Sequence, residues 1–267
     1  QQHDSYLFSC GCNFVKVWRI PPSTASVGDP ASHFKHLYDI QLFKGDISAL
    51  EALQLHPSTQ LEQEAVTSVL AAASIDGSIN LWKLERRDGD REAFTSILRP
   101  LHTKEPSLVL REAHTGRIPV LLGLQSLEDP TIESKLADLV SVGMDGKVKF
   151  WNFSQASSSI ELELLRSVTV ELGQSGQKYH CATLLKRKED IYVLVGGDDG
   201  IVWSIACSSQ QVLACYHHDV SVRSLLIVER HASASGQGQT MSQFLLIGDS
   251  EGQVSLIEIS SDGNDST

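Results

Sequence analysis

Carboxylates set beside glycine are the first candidates for chemistry in this chain. Asp76-Gly77, Asp145-Gly146 and Asp198-Asp199-Gly200 each place an acid at the tip of a reverse turn. There it could serve as a general acid or base, or as an oxygen ligand for a cation. Asp198-Asp199-Gly200 superficially resembles the start of a calcium loop, but it lacks the later ligands and the closing Glu. Cys10-Gly11-Cys12 has soft ligands, yet no second Cys or His pair follows at finger spacing, so it reads as a strand end and its turn. His217-His218 reads as the lead-in to a strand. Gly-x-Ser-x-Gly and His-Glu-x-x-His are missing, and "GDDG" has no Lys-Ser/Thr after it. The expectation is a chain without a catalytic set, a metal or a cofactor.

Composition narrows the field further. The chain has 267 residues, 41% of them hydrophobic and 21% charged, with a net charge of −11 and a pI near 5.3. Nucleic-acid affinity rests on clustered Lys and Arg, so this balance argues against direct nucleic-acid binding. The one basic cluster, Lys186-Arg187-Lys188, runs straight into Glu189 and Asp190 and reads as a solvated loop tip. Cysteines at 10, 12, 181, 207 and 215 are odd in number and unevenly spaced, which favours free thiols in a reducing compartment. No apolar run approaches the roughly 18–20 residues of a membrane span. The first ten residues, "QQHDSYLFSC", have neither an initiator Met nor the build of a signal peptide. The chain is therefore expected to be intracellular, cytoplasmic or nuclear, and a processed product or a piece of something longer. The sequons at Asn152 and Asn264 carry little weight without a secretory signal.

The elements that must position these acids are written several times over. Five segments share one phrase: an apolar run, a turn of small or acidic residues, and a second alternating run. They are 6–20, 69–84, 136–153, 191–207 and 244–259. Asp-Gly between alternating apolar runs is a strong hairpin signal, because the turn needs positive φ. Superposing Gly77, Gly146, Gly200 and Gly252 brings Trp82, Trp151, Ile205 and Ile257 to one position. Trp18 takes that position in the first copy, where Asn13 stands in for the glycine. Ahead of each of the last four hairpins lie two more β-like runs: 36–44 and 47–55, 94–101 and 117–124, 160–170 and 180–185, then 211–217 and 220–228. "ISALEALQL" (47–55) and "IELELLRSV" (160–168) contain good helix formers, but both occupy slots where sister units have β-branched alternation, so strands are expected. Between the runs, 21–32, 56–65, 85–92 and 231–242 read as surface loops.

These units resemble WD40 repeats, which build β-propellers from four-stranded antiparallel blades. The third unit is most similar, with His114, then Ile118 and Leu121, then Asp145 and Trp151. The fifth has His218 ahead of Val222 and Leu225, but Glu251 replaces the Asp and Ile257 the Trp. The second keeps Asp76 and Trp82, and the fourth keeps Asp199, its His180 being out of register. The resemblance implies that the His114 imidazole bonds Asp145 while the Ser141 hydroxyl links it towards the Trp151 indole. Trp18, Trp82, Asp76 and His218 would belong to the same structural network, not to catalysis.

The repeat count gives about four and a half blades over 1–259, followed by a polar tail at 260–267. An open ring leaves strand edges unpaired, so blades from upstream chain, strands from a partner subunit, or a five-bladed ring using 21–35 could complete it. The resemblance implies a non-catalytic scaffold for protein–protein interaction, part of a larger complex. Two alternatives are a regulatory subunit of an enzyme whose catalytic chain is separate, and a substrate receptor of a ubiquitin ligase. The receptor signature Trp-Asp-x-Arg is missing after Trp18, Trp82 and Trp151. The docking face would carry Asp46, Asp76, His114, Arg117, Asp145, Asp199, Asp219 and Glu251, and its acids imply a partner segment bearing Lys or Arg. Asp76 and Asp199, lacking a matching His, are expected to be the freest.

Overall fold

A computed structural model describes residues 5–20, 35–41, 46–55, 67–88, 96–100, 105–124, 137–155, 162–173, 176–187, 190–232 and 240–259. The loops read at 21–32 and 56–65 and the tail at 260–267 lie outside these residues, as do Lys188, Glu189 and Asn264. Every described element is a strand, and the described strands pair antiparallel. The chain divides into two compact units, Gln1–Glu128 with Ala137–Ser141 and Lys149–Val168, and Asp129–Leu136 with Val142–Val148 and Thr169–Thr267.

In the first unit, β1 (Ser5–Gly11), β2 (Phe14–Ile20) and β3 (Lys35–Gln41) form a three-stranded sheet in that order. The second sheet runs β4 (Ile47–Leu55), β5 (Thr67–Ser74), β6 (Ile79–Asp88) and β7 (Ser96–Pro100). Its β4 is the Leu- and Glu-rich "ISALEALQL". Pairing with β5 along its whole length, and burial of Leu53 and Leu55, override local helix preference. The third sheet, most but not all of whose residues fall in the first unit, is ordered β12 (Leu162–Glu171), β11 (Lys147–Gln155), β10 (Leu139–Val142), β9 (Val120–Gly123). Leu53, Val69, Ala71, Ile79, Leu81, Leu139, Trp151 and Phe153 share one core between the second and third sheets. Val15, Val17, Ile40, Leu70 and Leu84 form another between the first and second.

The second unit contains β13 (Tyr179–Lys186), β14 (Ile191–Gly197), β15 (Ile201–Ala206) and β16 (Val212–His217), a four-stranded sheet in chain order. Against it packs a three-stranded sheet of β17 (Val222–Ala232), β18 (Thr240–Asp249) and β19 (Val254–Ile259). Cys181, Leu185, Leu194, Val202, Val222, Leu245 and Ile247 form their common core.

The sequence repeat and the sheet are out of step. The first run of each repeat does not join its own hairpin; it pairs with the hairpin before it, β3 on β2, β7 on β6 and β16 on β15. Four sequence expectations need correction. Residues 231–232 and 240–242, read as loop, are the end of β17 and the start of β18, paired with each other. A strand was missed, β8 (Leu108–Leu110), which pairs the near half of β6 while β7 pairs the far half. Three residues are too few to show a period of two. Residues 85–88, read as loop, continue β6, because the ladder to β7 supplies the backbone bonds that the polar side chains do not advertise. In the first hairpin the left-handed residue is Cys12, with φ of 51°, and not Asn13. There the turn between Gly11 and Phe14 is only two residues long.

Candidate functional site

The repeated turns fix their acids by the same short-range bond. Asp76 Oδ1 accepts the backbone N–H of Ser78 at 2.9 Å, Asp145 Oδ1 that of Lys147 at 3.2 Å, and Asp199 Oδ1 that of Ile201 at 3.1 Å. A short acceptor side chain bonding two residues ahead is the natural lock for a tight turn. The neighbouring glycine completes it. Gly77 has φ of 85°, and a Cβ there would lie 2.0 Å from the carbonyl oxygen of His114. That closeness reflects the His114 N–H donating to the Gly77 carbonyl at 3.0 Å. The His218 N–H donates to the Gly200 carbonyl in the same way, at 2.7 Å.

The ring of His114 turns to its own repeat. His114 Nε2 and Ser141 Oγ are 2.8 Å apart, and Trp151 Nε1 donates to the same Ser141 Oγ at 2.9 Å. All three side chains are buried. In the first sheet Trp18 Nε1 donates to Ser9 Oγ at 2.9 Å, a hydroxyl that the sequence reading did not single out. Trp82 is almost fully buried, but Ala72 stands where Ser141 does in the third sheet, so this copy has no hydroxyl at that point.

Asp199 is not the free acid expected from its missing His. Trp203 Nε1 donates to Asp199 Oδ2 at 2.8 Å and the Tyr179 hydroxyl donates at 3.4 Å. Tyr179 is fully buried, and burial together with the Asp199 charge drives its hydroxyl far above the ordinary tyrosine range. The indole lies two residues earlier in the chain than the repeat position held by Ile205, which hides it from an alignment on the turn glycine. Neighbouring Asp198 is exposed; His180 Nε2 lies 2.7 Å from its Oδ1, Ser221 Oγ donates at 3.1 Å, and an Arg223 guanidinium nitrogen is 3.5 Å away. The His180 hydrogen bond holds this carboxyl below its ordinary range.

In the fifth repeat the acid that locks the turn is Asp249, not Glu251. Asp249 Oδ1 accepts the N–H groups of Glu251 and Gln253, both at 2.9 Å. Its side chain is wholly buried, with Oδ2 facing His218 Nε2 at 3.5 Å. The acid has retreated from the tip of the turn to the last residue of the strand. Glu251 itself is exposed, and Gln253 reaches its Oε2 at 3.5 Å.

The remaining face residues divide by unit. In the first, Asp46, Asp76 and Arg117 are exposed. The Asp46 carbonyl accepts the Ile75 N–H at 3.0 Å and the Ser74 hydroxyl at 3.2 Å, which holds the lead-in of β4 against the β5–β6 turn. The Asp76 carboxyl sits below its ordinary range, chiefly because Ser78 Oγ donates to it at 2.7 Å. In the second unit, Asp198, Asp219 and Glu251 are exposed. Cys10, Cys12 and Cys215 are exposed and in no disulfide, whereas the thiols of Cys181 and Cys207 are buried and pushed up to about 12 by burial. Among the described residues no group of three or more His, Cys, Asp or Glu side chains could hold a metal ion. Among the described residues no helix is long and apolar enough to cross a membrane.

No family model matches the chain, and no curated protein matches it. Among solved structures, the chain is similar to the crystal structure of the computationally designed Ika4 protein. The two are 16% identical with a TM-score of 0.45, over 83% of this chain and 96% of that one.

Proposed function

We propose that this chain is a WD40-like β-propeller segment serving as a non-catalytic protein–protein interaction scaffold within a larger intracellular complex. Successive antiparallel sheets, four of the five taking their outer strand from the next repeat, support the propeller reading. One observation carries the functional reading. The turn acids are rigidly held by their own turns, yet Asp76, like Asp46 beside it in the β4 lead-in, remains exposed. A pre-ordered surface loses little conformational entropy on binding, which favours docking. Their charge selects a partner segment carrying Lys or Arg. Asp199 no longer belongs to that set, since Trp203 and Tyr179 occupy its carboxylate.

The test is capture of partner proteins from cell extract by the wild-type chain and by an Asp46→Lys/Asp76→Lys variant. Loss of the captured partner in the variant, with its unfolding transition unchanged, supports the reading. Equal recovery removes it.

A further inference from the structure

Cys10-Gly11-Cys12 is the one place where the chain sets two thiols close together, and the scaffold reading leaves it unused. Both cysteines lie at the exposed end of the first hairpin and in no disulfide. Cys10 stands opposite Val15, Gly11 stands opposite Phe14 in the last rung of the ladder, and Cys12 opens the two-residue turn. Cys12 has φ of 51°, a left-handed backbone uncommon for any residue with a side chain. A Cβ added to Gly11 would meet nothing within 4 Å, so the residue between the thiols has room to move. The movement needed is small. In an extended strand, residues two apart have Cα atoms roughly 6.6 Å apart, whereas disulfides are commonest at about 5.5–6 Å. Bending Gly11 closes that gap and gives up only the terminal rung with Phe14.

The same turn is tied to the second sheet. Ile47, the first residue of β4, donates its N–H to the Cys12 carbonyl at 2.7 Å. The carbonyl of its neighbour Asp46 accepts the Ile75 N–H at 3.0 Å and the Ser74 hydroxyl at 3.2 Å. The lead-in Asp46-Ile47 therefore joins the Cys12 turn to the turn that carries Asp76.

We propose that Cys10 and Cys12 close a reversible disulfide in the folded chain, a redox switch that frees Ile47 from Cys12 and loosens the hold on Asp46. The oxidant is a low-molecular-weight disulfide of the glutathione class. The Cys12 thiolate attacks one sulfur of that disulfide, forming a mixed disulfide and expelling one glutathione thiolate. The Cys10 thiolate then attacks the Cys12 sulfur, closing the protein S–S bond and expelling the second glutathione. Two protein thiols lose two protons and two electrons, and one glutathione disulfide becomes two glutathiones. Cys12 is the point of entry, because partial burial raises the Cys10 thiol.

Control of docking rests on the scaffold reading, since Asp46 and Asp76 are its docking acids; the disulfide and the Ile47 contact do not. The experiment equilibrates the native full chain in glutathione buffers of graded poise, then alkylates, digests and weighs the peptides. The peptide holding Cys10 and Cys12 should lose both alkylation sites together and regain them with dithiothreitol. Cys10→Ser should stop at the Cys12–glutathione mixed disulfide. By NMR the Ile47 amide of the oxidised chain should exchange about tenfold faster, as fits the loss of one backbone hydrogen bond. Partner capture from extract should fall on oxidation of wild type and hold steady in a Cys10→Ser/Cys12→Ser variant. A mixed disulfide that leaves Cys10 open to alkylation, a ring that closes only in denaturant, or unchanged Ile47 exchange would each overturn the proposal. So would capture that depends on Asp46 and Asp76 yet ignores oxidation. Capture indifferent to Asp46→Lys/Asp76→Lys removes the scaffold reading alone, and ring closure with Ile47 exchange then decides the switch.

Discussion

Trp203 donates its indole N–H to Asp199 Oδ2 at 2.8 Å, four residues back across the same hairpin turn. The bond converts an acid that looks available in the sequence into part of the scaffold. Asp199→Ala should therefore cost about 1–3 kcal/mol, because it strands the buried Tyr179 hydroxyl as well as the indole. Asp76→Ala, at the same repeat position but exposed, should cost about 0.5 kcal/mol. Urea unfolding of the two variants checks the ordering; equal losses would contradict the geometry.

Ser141 Oγ serves two buried rings at once, His114 at 2.8 Å and Trp151 at 2.9 Å. Ser141→Ala deprives both of this partner without changing the backbone. The expected loss is about 1–3 kcal/mol, read as a shift of the denaturation midpoint with an unchanged slope. Ser141→Thr, which keeps the hydroxyl, should recover part of it, unless the added methyl overpacks the site.

Glu51 gives a pH dependence of defined sign. Burial raises its carboxyl above the ordinary range, against the pull of the Gly123 N–H on Oε1 at 3.2 Å. A folded-state pKa above the unfolded value means the protonated form favours the fold. That contribution is present at low pH and is lost as pH rises through the raised folded value. Glu51→Gln keeps an acceptor for Gly123 and should be more stable than wild type at pH 7. The advantage should vanish at pH values below about 4, where Glu is protonated even when unfolded.

Asp198 runs the other way. Its carboxyl is lowered by the His180 hydrogen bond, with Ser221 and Arg223 adding to it. A lowered folded-state pKa contributes stability above the unfolded value, and that stability is lost as pH falls through the folded one. Asp198→Asn should flatten the acid limb of a stability–pH curve below pH about 4. An unchanged acid limb would show that this exposed cluster is energetically idle.

Thiol accessibility separates the five cysteines. Cys12 and Cys215 are exposed and should react readily with a thiol reagent in the native protein, with Cys10 slower because partial burial raises its thiol. Cys181 and Cys207, buried and pushed up to about 12, should react only on unfolding. Mass spectrometry of labelled peptides before and after denaturant reads this directly.

The turns were legible in the sequence because their demand is local. Gly77, Gly146, Gly200 and Gly252 all carry positive φ, and an Asp beside such a glycine can mean little else. The partners of those acids were less legible, since side-chain reach ignores repeat register. Trp203 and Asp249 each lie two residues earlier in the chain than the expected indole and acid positions, 205 and 251, and both still close their turns. Strand β8 escaped notice for a different reason, having length for only three pairs and relying on β6 for its definition.

The offset between repeat and sheet bears on how such a chain can grow. A gene duplication that copies one sequence period does not insert a finished sheet. It inserts a hairpin together with the strand that completes the hairpin before it, so every insertion yields two hybrid sheets and no self-sufficient one. Selection must then act on the junctions first, at pairs such as Trp18 with His36 or Ile79 with Leu110, where residues from successive copies meet. Degeneracy among the copies can be tolerated elsewhere, but the seam between neighbours has to be matched each time.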